Sequence, residues 1–301
     1  MVLAVDLGGT NIRMAAVDDD GRILHLTRRP TPRGVTGDQL AESFREMATE
    51  CEDATGATFQ AIGIGVPANV TESGILQHLP NIPTLQGAAL HSLVAERLGM
   101  SVVLENDATA AAIGEHWLGA SKGIDNWFMI TLGTGVGGGV FVNGQPLRGP
   151  DGAAAKLGHI CVEPEGHPCG CGSHGCIEQY ASATALERLA SEAGLGVADS
   201  RGLFDKWQAG DVSAKAVFDA MGRHLGITLA GLVNTFNPEM IVIGGGASAA
   251  WEAFIEPLLS ELRIRAFDEP VRRVKIVRTS LGDDAGILGA ARSAFSAIKD
   301  R

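Results

Sequence analysis

Two stretches of the chain repeat one layout: AVDLGGTNIRMAAVDDDG at residues 4–21 and MITLGTGVGGGVFVNG at residues 129–144. Each reads as an apolar strand, a Leu-Gly turn rich in Gly and Thr, a second apolar strand and a polar turn. A supersecondary unit that recurs about 125 residues further on implies two related halves facing each other. Around these units, strands alternate with helical spacing, which sets the class as α/β. A length of 301 residues suits two domains, and 45% apolar content supplies a sizeable core.

VLAVDLGG (2–9) is a buried strand that runs into a glycine turn, and a β-meander follows. Leu40, Phe44, Met47 and Cys51 give residues 38–53 the spacing of a helix capped by Thr36 or Asp38. Residues 61–70 read as a strand, 90–100 as a helix stopped by Gly99, and 101–119 as strand, polar corner and Ala-rich helix. Further helices fall at 183–195, 199–208 and 212–235. A buried strand at 239–248 enters Gly244-Gly245-Gly246, then come a helix at 250–264, a strand at 274–280 and a closing helix at 282–298. No low-complexity linker separates the halves, so a hinge joins them.

Three strand-terminal glycine turns point to phosphate. In Asp6-Leu7-Gly8-Gly9-Thr10-Asn11 the glycines let backbone N–H groups face an anion, and Thr10 adds a hydroxyl. Thr134 and Gly135 sit in the equivalent turn of the second half. Gly244, Gly245 and Gly246 end a third strand and open a helix, where the dipole favours a nucleotide. None of the three matches a P-loop. The GxGxxG within GTGVGGGV precedes a strand, so a dinucleotide fingerprint is excluded by context.

Glu105-Asn106-Asp107 forms a polar corner at a strand-to-helix junction. Asp107 is either the helix cap or a general base, since phosphoryl transfer to an alcohol needs a carboxylate to orient the hydroxyl and take its proton.

GHPCGCGSHGC (166–176) packs three of the five cysteines into eight positions. Met1 leads straight into the first strand with no basic region or cleavage site, which sets the expectation of a soluble, cytoplasmic chain. Structural disulfides are disfavoured there, and Cys169-x-Cys171 is not a thioredoxin-type CxxC. The remaining reading is a closed structural zinc held by His159, Cys169, Cys171 and Cys176, with His167 and His174 as rival nitrogen ligands. His159 has a second ring nitrogen for substrate, and Glu178 is held by the metal loop where it can face substrate.

The net charge of −11 argues against nucleic-acid binding. The longest uncharged stretch, 126–147, is too rich in glycine for a membrane helix.

DLGGTN, GVPA, ENDA, LGTGVGGG, GH, CGCGSHGCIEQYAS and IVIGGG, in this order, resemble the ROK family of bacterial sugar kinases, and the resemblance covers essentially the whole chain. It implies an actin/hexokinase-like (ribonuclease H-like) duplicated two-domain fold with a central cleft. The expected domains are 1–118 plus 288–301 and 119–287. It also implies transfer of the ATP γ-phosphate to a hexose, glucose at its 6-hydroxyl above all, with Mg²⁺, structural Zn²⁺ and a homodimer or homotetramer. By matching motif, Asp107 is the base. Asn106, His159 and Glu178 hold sugar hydroxyls, with Gly65 and Asn81 near them. Asp6, Gly8, Gly9, Thr10, Asn11, Thr134 and Gly135 hold phosphates, and Gly244 to Gly246 flank the adenosine. The family's repressors carry a DNA-binding region ahead of the kinase-like part. Here the first strand starts at residue 2.

Two positions depart from the family pattern. Lys156 stands where the family has a sugar-binding Glu, and Thr84-Leu85 where many relatives have Gly-Trp. Lys offers no acceptor, so either it turns to solvent or the sugar differs. The alternatives are fructose, mannose, allose, an N-acetylhexosamine, a phosphorylated or acidic ligand, or a sugar-binding protein with weak catalysis.

Overall fold

The computed structural model describes every residue except Glu72, Pro80, Asp300 and Arg301. The strands are β1 (Val2–Leu7), β2 (Asn11–Val17), β3 (Ile23–Pro30), β4 (Ala61–Val66), β5 (Asn69–Val70), β6 (Leu76–Gln77), β7 (Ser101–Asn106), β8 (Trp127–Leu132), β9 (Val136–Val142), β10 (Gln145–Pro146), β11 (Met240–Gly244) and β12 (Lys275–Arg278). The helices are α1 (Gly37–Thr55), α2 (Leu90–Leu98), α3 (Asp107–Leu118), α4 (Glu178–Ala181), α5 (Ala183–Glu192), α6 (Ser200–Gln208), α7 (Val212–Phe236), α8 (Trp251–Arg265), α9 (Asp268–Arg273) and α10 (Ala285–Lys299).

The repeat seen in the sequence becomes two sheets of one order, β3-β2-β1-β4-β7 and β10-β9-β8-β11-β12. In the first, β1 runs antiparallel to β2 and parallel to β4, and β4 runs parallel to β7. In the second, β8 runs antiparallel to β9 and parallel to β11, and β11 runs parallel to β12. The chain forms two compact units, Met1–Gly123 with Gln145–Ala155 and Ser280–Arg301, and Ile124–Gly144 with Lys156–Thr279. The outer divisions fall at 123/124 and 279/280, beside the expected 118/119 and 287/288. Gln145–Ala155 joins the first unit, where Arg148 pairs with Glu105 and Gly152 lies against Val70. Among the described residues no helix is long and apolar enough to cross a membrane.

Alternation along β1 builds two cores from one strand. Leu3, Val5 and Leu7 face Leu40, Phe44 and Met47 of α1 and Leu90 and Val94 of α2. Val2 and Ala4 face Ile287, Ala290, Ala291 and Ala294 of α10. Small residues on that second face let α10 lie close. A Cβ on Gly63 would come 1.9 Å from the Ala290 carbonyl oxygen, one on Gly114 2.2 Å from that of Ala285, and one on Gly289 1.6 Å from that of Ala110. In the second unit α7 and α8 approach in the same way, with Gly222 and Gly226 against the carbonyls of Phe254 and Leu258.

Local chemistry sets the boundaries. Thr36 caps α1 in a reciprocal capping box with Gln39, and Gly99 ends α2 in the left-handed conformation. Several elements differ from the sequence reading. Residues 61–70 are not one strand, because Pro67 has no N–H to donate. β4 stops before it, and β5 turns away to pair with β6. The helix expected at 183–195 ends at Glu192, before Gly194 with φ +70°. The triple glycine opens a short 3-10 turn, Gly246–Ala250, before α8 begins. α9 was not anticipated.

Gly289→Ala is expected to destabilise the protein by about 3 kcal/mol or more, because backbone and not a flexible side chain blocks the added methyl. Gly231→Ala on α7, where a Cβ meets nothing within 4 Å, is expected to stabilise by up to about 1 kcal/mol. Thermal denaturation of the two variants checks both signs.

Candidate functional site

In the first unit, β1 and β2 are joined by the Gly8–Thr10 turn. The Gly8 N–H donates to the Asn11 carbonyl (2.8 Å), and the Thr31 hydroxyl and N–H hold the carbonyls of Gly8 and Thr10. Gly9 and Thr10 are exposed. Asn81 lies against this turn, and a Cβ on Gly9 would come 3.1 Å from the Asn81 Cβ. Asp6 is directed at the start of α10, where a Cβ on Gly286 would sit 3.7 Å from its carboxylate. Burial holds the Asp6 carboxyl above the usual range. Arg13 opposes this shift and Asp283 adds to it. Arg13 itself donates to the Asp283 carbonyl and the Asp284 carboxylate, both at 2.6 Å.

The polar corner resolves into three separate duties. Glu105 is buried and takes a bidentate pair from Arg148, at 3.1 and 2.5 Å. Asn106 is the cap of α3. Its Oδ1 accepts the Ala108 and Thr109 N–H groups at 3.2 Å, and its Nδ2 donates to the Ala68 carbonyl at 3.1 Å. Asp107 is therefore the first helical residue and not the cap. Its Cα lies 3.8 Å from where a Cβ on Gly65 would be, so the two residues are neighbours.

In the second unit the turn between β8 and β9 is held from the cysteine side. Glu178 Oε2 accepts the Val136 N–H at 3.0 Å, and the Ala183 N–H donates to the Gly133 carbonyl at 2.8 Å. A Cβ on Gly135 would come 2.5 Å from Glu178 Oε2, and one on Gly158 2.0 Å from the Val136 carbonyl oxygen. Thr134 is exposed beside Gly135. Gly245 has φ +83°, and a Cβ there would come 2.6 Å from Leu132 backbone atoms, so the third glycine turn abuts the second. Gly244 is buried against Met129 and Thr279, and Gly246 is open.

His159, Cys169, Cys171 and Cys176 bring their ligand atoms within 4.8 Å of one another. The Cys169 Sγ to His159 Nδ1 and Cys171 Sγ to Cys176 Sγ separations are both 3.6 Å. Zinc bonds of about 2.3 Å to sulfur and 2.0 Å to nitrogen set tetrahedral edges of roughly 3.5–3.8 Å, so the set is compatible with a closed structural zinc. The two rival histidines do not join it. His167 meets Arg188 at 2.8 Å, and His174 sits on an exposed bridge opposite Pro168. Lys156 is half-buried, and its carbonyl accepts the His159 N–H at 3.0 Å. Sequence reasoning missed Arg13, Asp283 and Arg148. Their partners lie tens to hundreds of residues away, and no local pattern marks them.

Two sheets of one order, paired glycine turns and a Cys₃His loop beside one of them match a single family throughout. The model of the ROK family matches residues 2–296, and the chain belongs to that family. A glucokinase of Thermotoga maritima is 39% identical, with 100% of this chain and 98% of that protein covered. Among solved structures, a ROK hexokinase from Thermus thermophilus has a TM-score of 0.87 at 38% identity, covering 100% of this chain and 99% of that one. A ROK family glucokinase from Streptomyces griseus in complex with glucose and AMPPNP has a TM-score of 0.84 at 34% identity, covering 98% and 99%.

The thiols fix how the loop answers to acid. Burial pushes the Cys176 thiol up to about 12 and raises Cys169, while the Ser173 backbone N–H lowers Cys171. A metal binds thiolates, so protons compete with it and affinity rises with pH. Zinc retained at about pH 8 is expected to be released progressively toward about pH 5. A chromogenic chelator reads the release.

Proposed function

We propose that the protein is an ATP-dependent hexokinase working as a glucokinase, which moves the γ-phosphate of ATP to the 6-hydroxyl of glucose. The observation that carries this reading is the start of α3, where Asn106 has taken over the capping duty and Asp107 follows it beside Gly65. The Asp107 Oδ1 accepts the Ala108 N–H at 2.8 Å, which orients the carboxylate at the helix start for the work of a base. The whole-length likeness to glucokinases supplies the substrate.

Asp107 orients the 6-hydroxyl and accepts its proton as the oxygen attacks phosphorus, a role worth roughly 10²–10⁴ in rate. Sugar hydroxyls are held by Glu178, by Asn81 and Asn106, and by His159 through Nε2, since Nδ1 is the nitrogen near Cys169. Backbone N–H groups of Gly8 to Thr10 and of Thr134 and Gly135 receive the phosphate oxygens, and Gly244 to Gly246 flank the adenosine. Asp6 would hold the Mg²⁺ that accompanies ATP, a site type that needs only one or two carboxylates. When bound, Mg²⁺ neutralises charge on the transferring phosphoryl oxygens. Zinc, having no open position in a Cys₃His set, braces the loop and leaves catalysis to the side chains. Exclusion of water around the donor phosphates limits futile ATP hydrolysis. A cytoplasmic location and a homodimer or homotetramer belong to the same reading. The exposed Ile264 and Phe267 favour self-association.

Asp107→Asn is expected to lower kcat by about 10³-fold or more with glucose binding changed by less than about threefold. Near wild-type turnover in a coupled ADP assay removes the base from this mechanism. Lys156→Glu restores an acceptor beside His159 and is expected to lower the KM for glucose roughly tenfold. An unchanged KM places the Lys156 side chain away from the sugar.

A further inference from the structure

Glu115 is fully buried on α3 and has no part in the chemistry above. Its carboxylate accepts four hydrogen bonds. Oε2 takes the Ala120 N–H at 2.7 Å and the Ser280 hydroxyl at 3.2 Å. Oε1 takes the Ser280 N–H at 3.0 Å and the Leu281 N–H at 2.9 Å. A Cβ on Gly119 would come 2.2 Å from Oε2, so the fold-back of this side chain requires glycine there.

The partners share one property. The chain first leaves the first unit after Gly123, re-enters it over Gln145–Ala155, and returns for the last time at Ser280. Ala120 lies just before that departure, and Ser280 and Leu281 lie at the return. α3 also begins with Asp107, two turns upstream, and is locked to α10 through Gly114 and Gly289. A buried carboxylate is costly unless its oxygens are satisfied. An apolar residue could fill this space but could not fasten two chain segments.

We propose that Glu115 is a positioning residue that fastens the first and last of these crossings to the helix carrying Asp107. Anchored in this way at its C-terminal end, α3 presents Asp107 in one geometry. This rests on the kinase reading. Loosening this anchor disturbs the placement of Asp107 in the transition state while leaving nucleotide binding unchanged.

The test compares Glu115→Gln and Ser280→Ala with the wild type. In Glu115→Gln an amide N–H faces the Ala120 N–H, and kcat is expected to fall about tenfold while the Kd for AMPPNP stays within about twofold. ADP released per sugar phosphate formed rises above one, and amide exchange speeds together at 120, 280 and 281. Ser280→Ala, which loses one of the four bonds, shows the same pattern at smaller size and covers the case in which Glu115→Gln fails to fold. A lowered melting temperature with kcat and the product ratio unchanged overturns the proposal. So does exchange that speeds at 120 but not at 280 and 281. Absence of sugar phosphorylation in the wild type defeats the kinase reading instead, and the exchange data still decide whether Glu115 fastens these two crossings.

Discussion

The hydrogen bond from the Val136 amide to the Glu178 carboxylate ties the cysteine loop to the glycine turn, and the working parts of the second unit depend on it. Glu178 stands two residues beyond Cys176, so a metal that fixes Cys176 also fixes the carboxylate. That carboxylate in turn occupies the space a side chain at position 135 would fill. Glycine at 135 therefore does more than permit a turn, because it gives the carboxylate its seat. With the Gly133 carbonyl also held from Ala183, the turn is gripped at both ends. Backbone donors fixed in this way need little reorganisation when an anion arrives, which is the condition for strong electrostatic stabilisation.

The first unit reaches rigidity by another route. Its turn is held by Thr31 and backed by Asn81. Asp107 gains its precision from α3, whose backbone meets that of α10 at glycines. Side chains on packed helices hold position better than side chains on loops. The small residues of β1, β4 and α10 thus serve the chemistry indirectly, by removing the slack between α3 and the sheet.

Much of this was legible in the sequence because it is local. The repeated strand–turn–strand layout announced two sheets that share one order. Thr36 and Gly99 announced helix ends through cap chemistry. What stayed hidden depends on distant partners. Asp107 and Asn106 are both good cap residues, and only backbone geometry assigns the cap to Asn106. His159, His167 and His174 are equally plausible ligands by composition. Arg188 and the 168–174 bridge remove two of them through contacts no motif encodes. The burial that raises the Asp6 carboxyl comes from packing, and Arg13 and Asp283 reach it from a neighbouring strand and the far end of the chain.

The shared strand order also shows where the halves have parted. Both place a glycine turn between their first two strands, because the β-meander demands a tight connection there and the backbone N–H groups it exposes suit an anion. What surrounds each turn is set by the insertions after the meander. In the first half these supply Asn81 and the α3 carboxylate. In the second they supply a cysteine loop that returns through Glu178 to the turn itself. One topology thus offers two glycine turns of one kind, and the α3 carboxylate and the Cys₃His cluster lie with different copies.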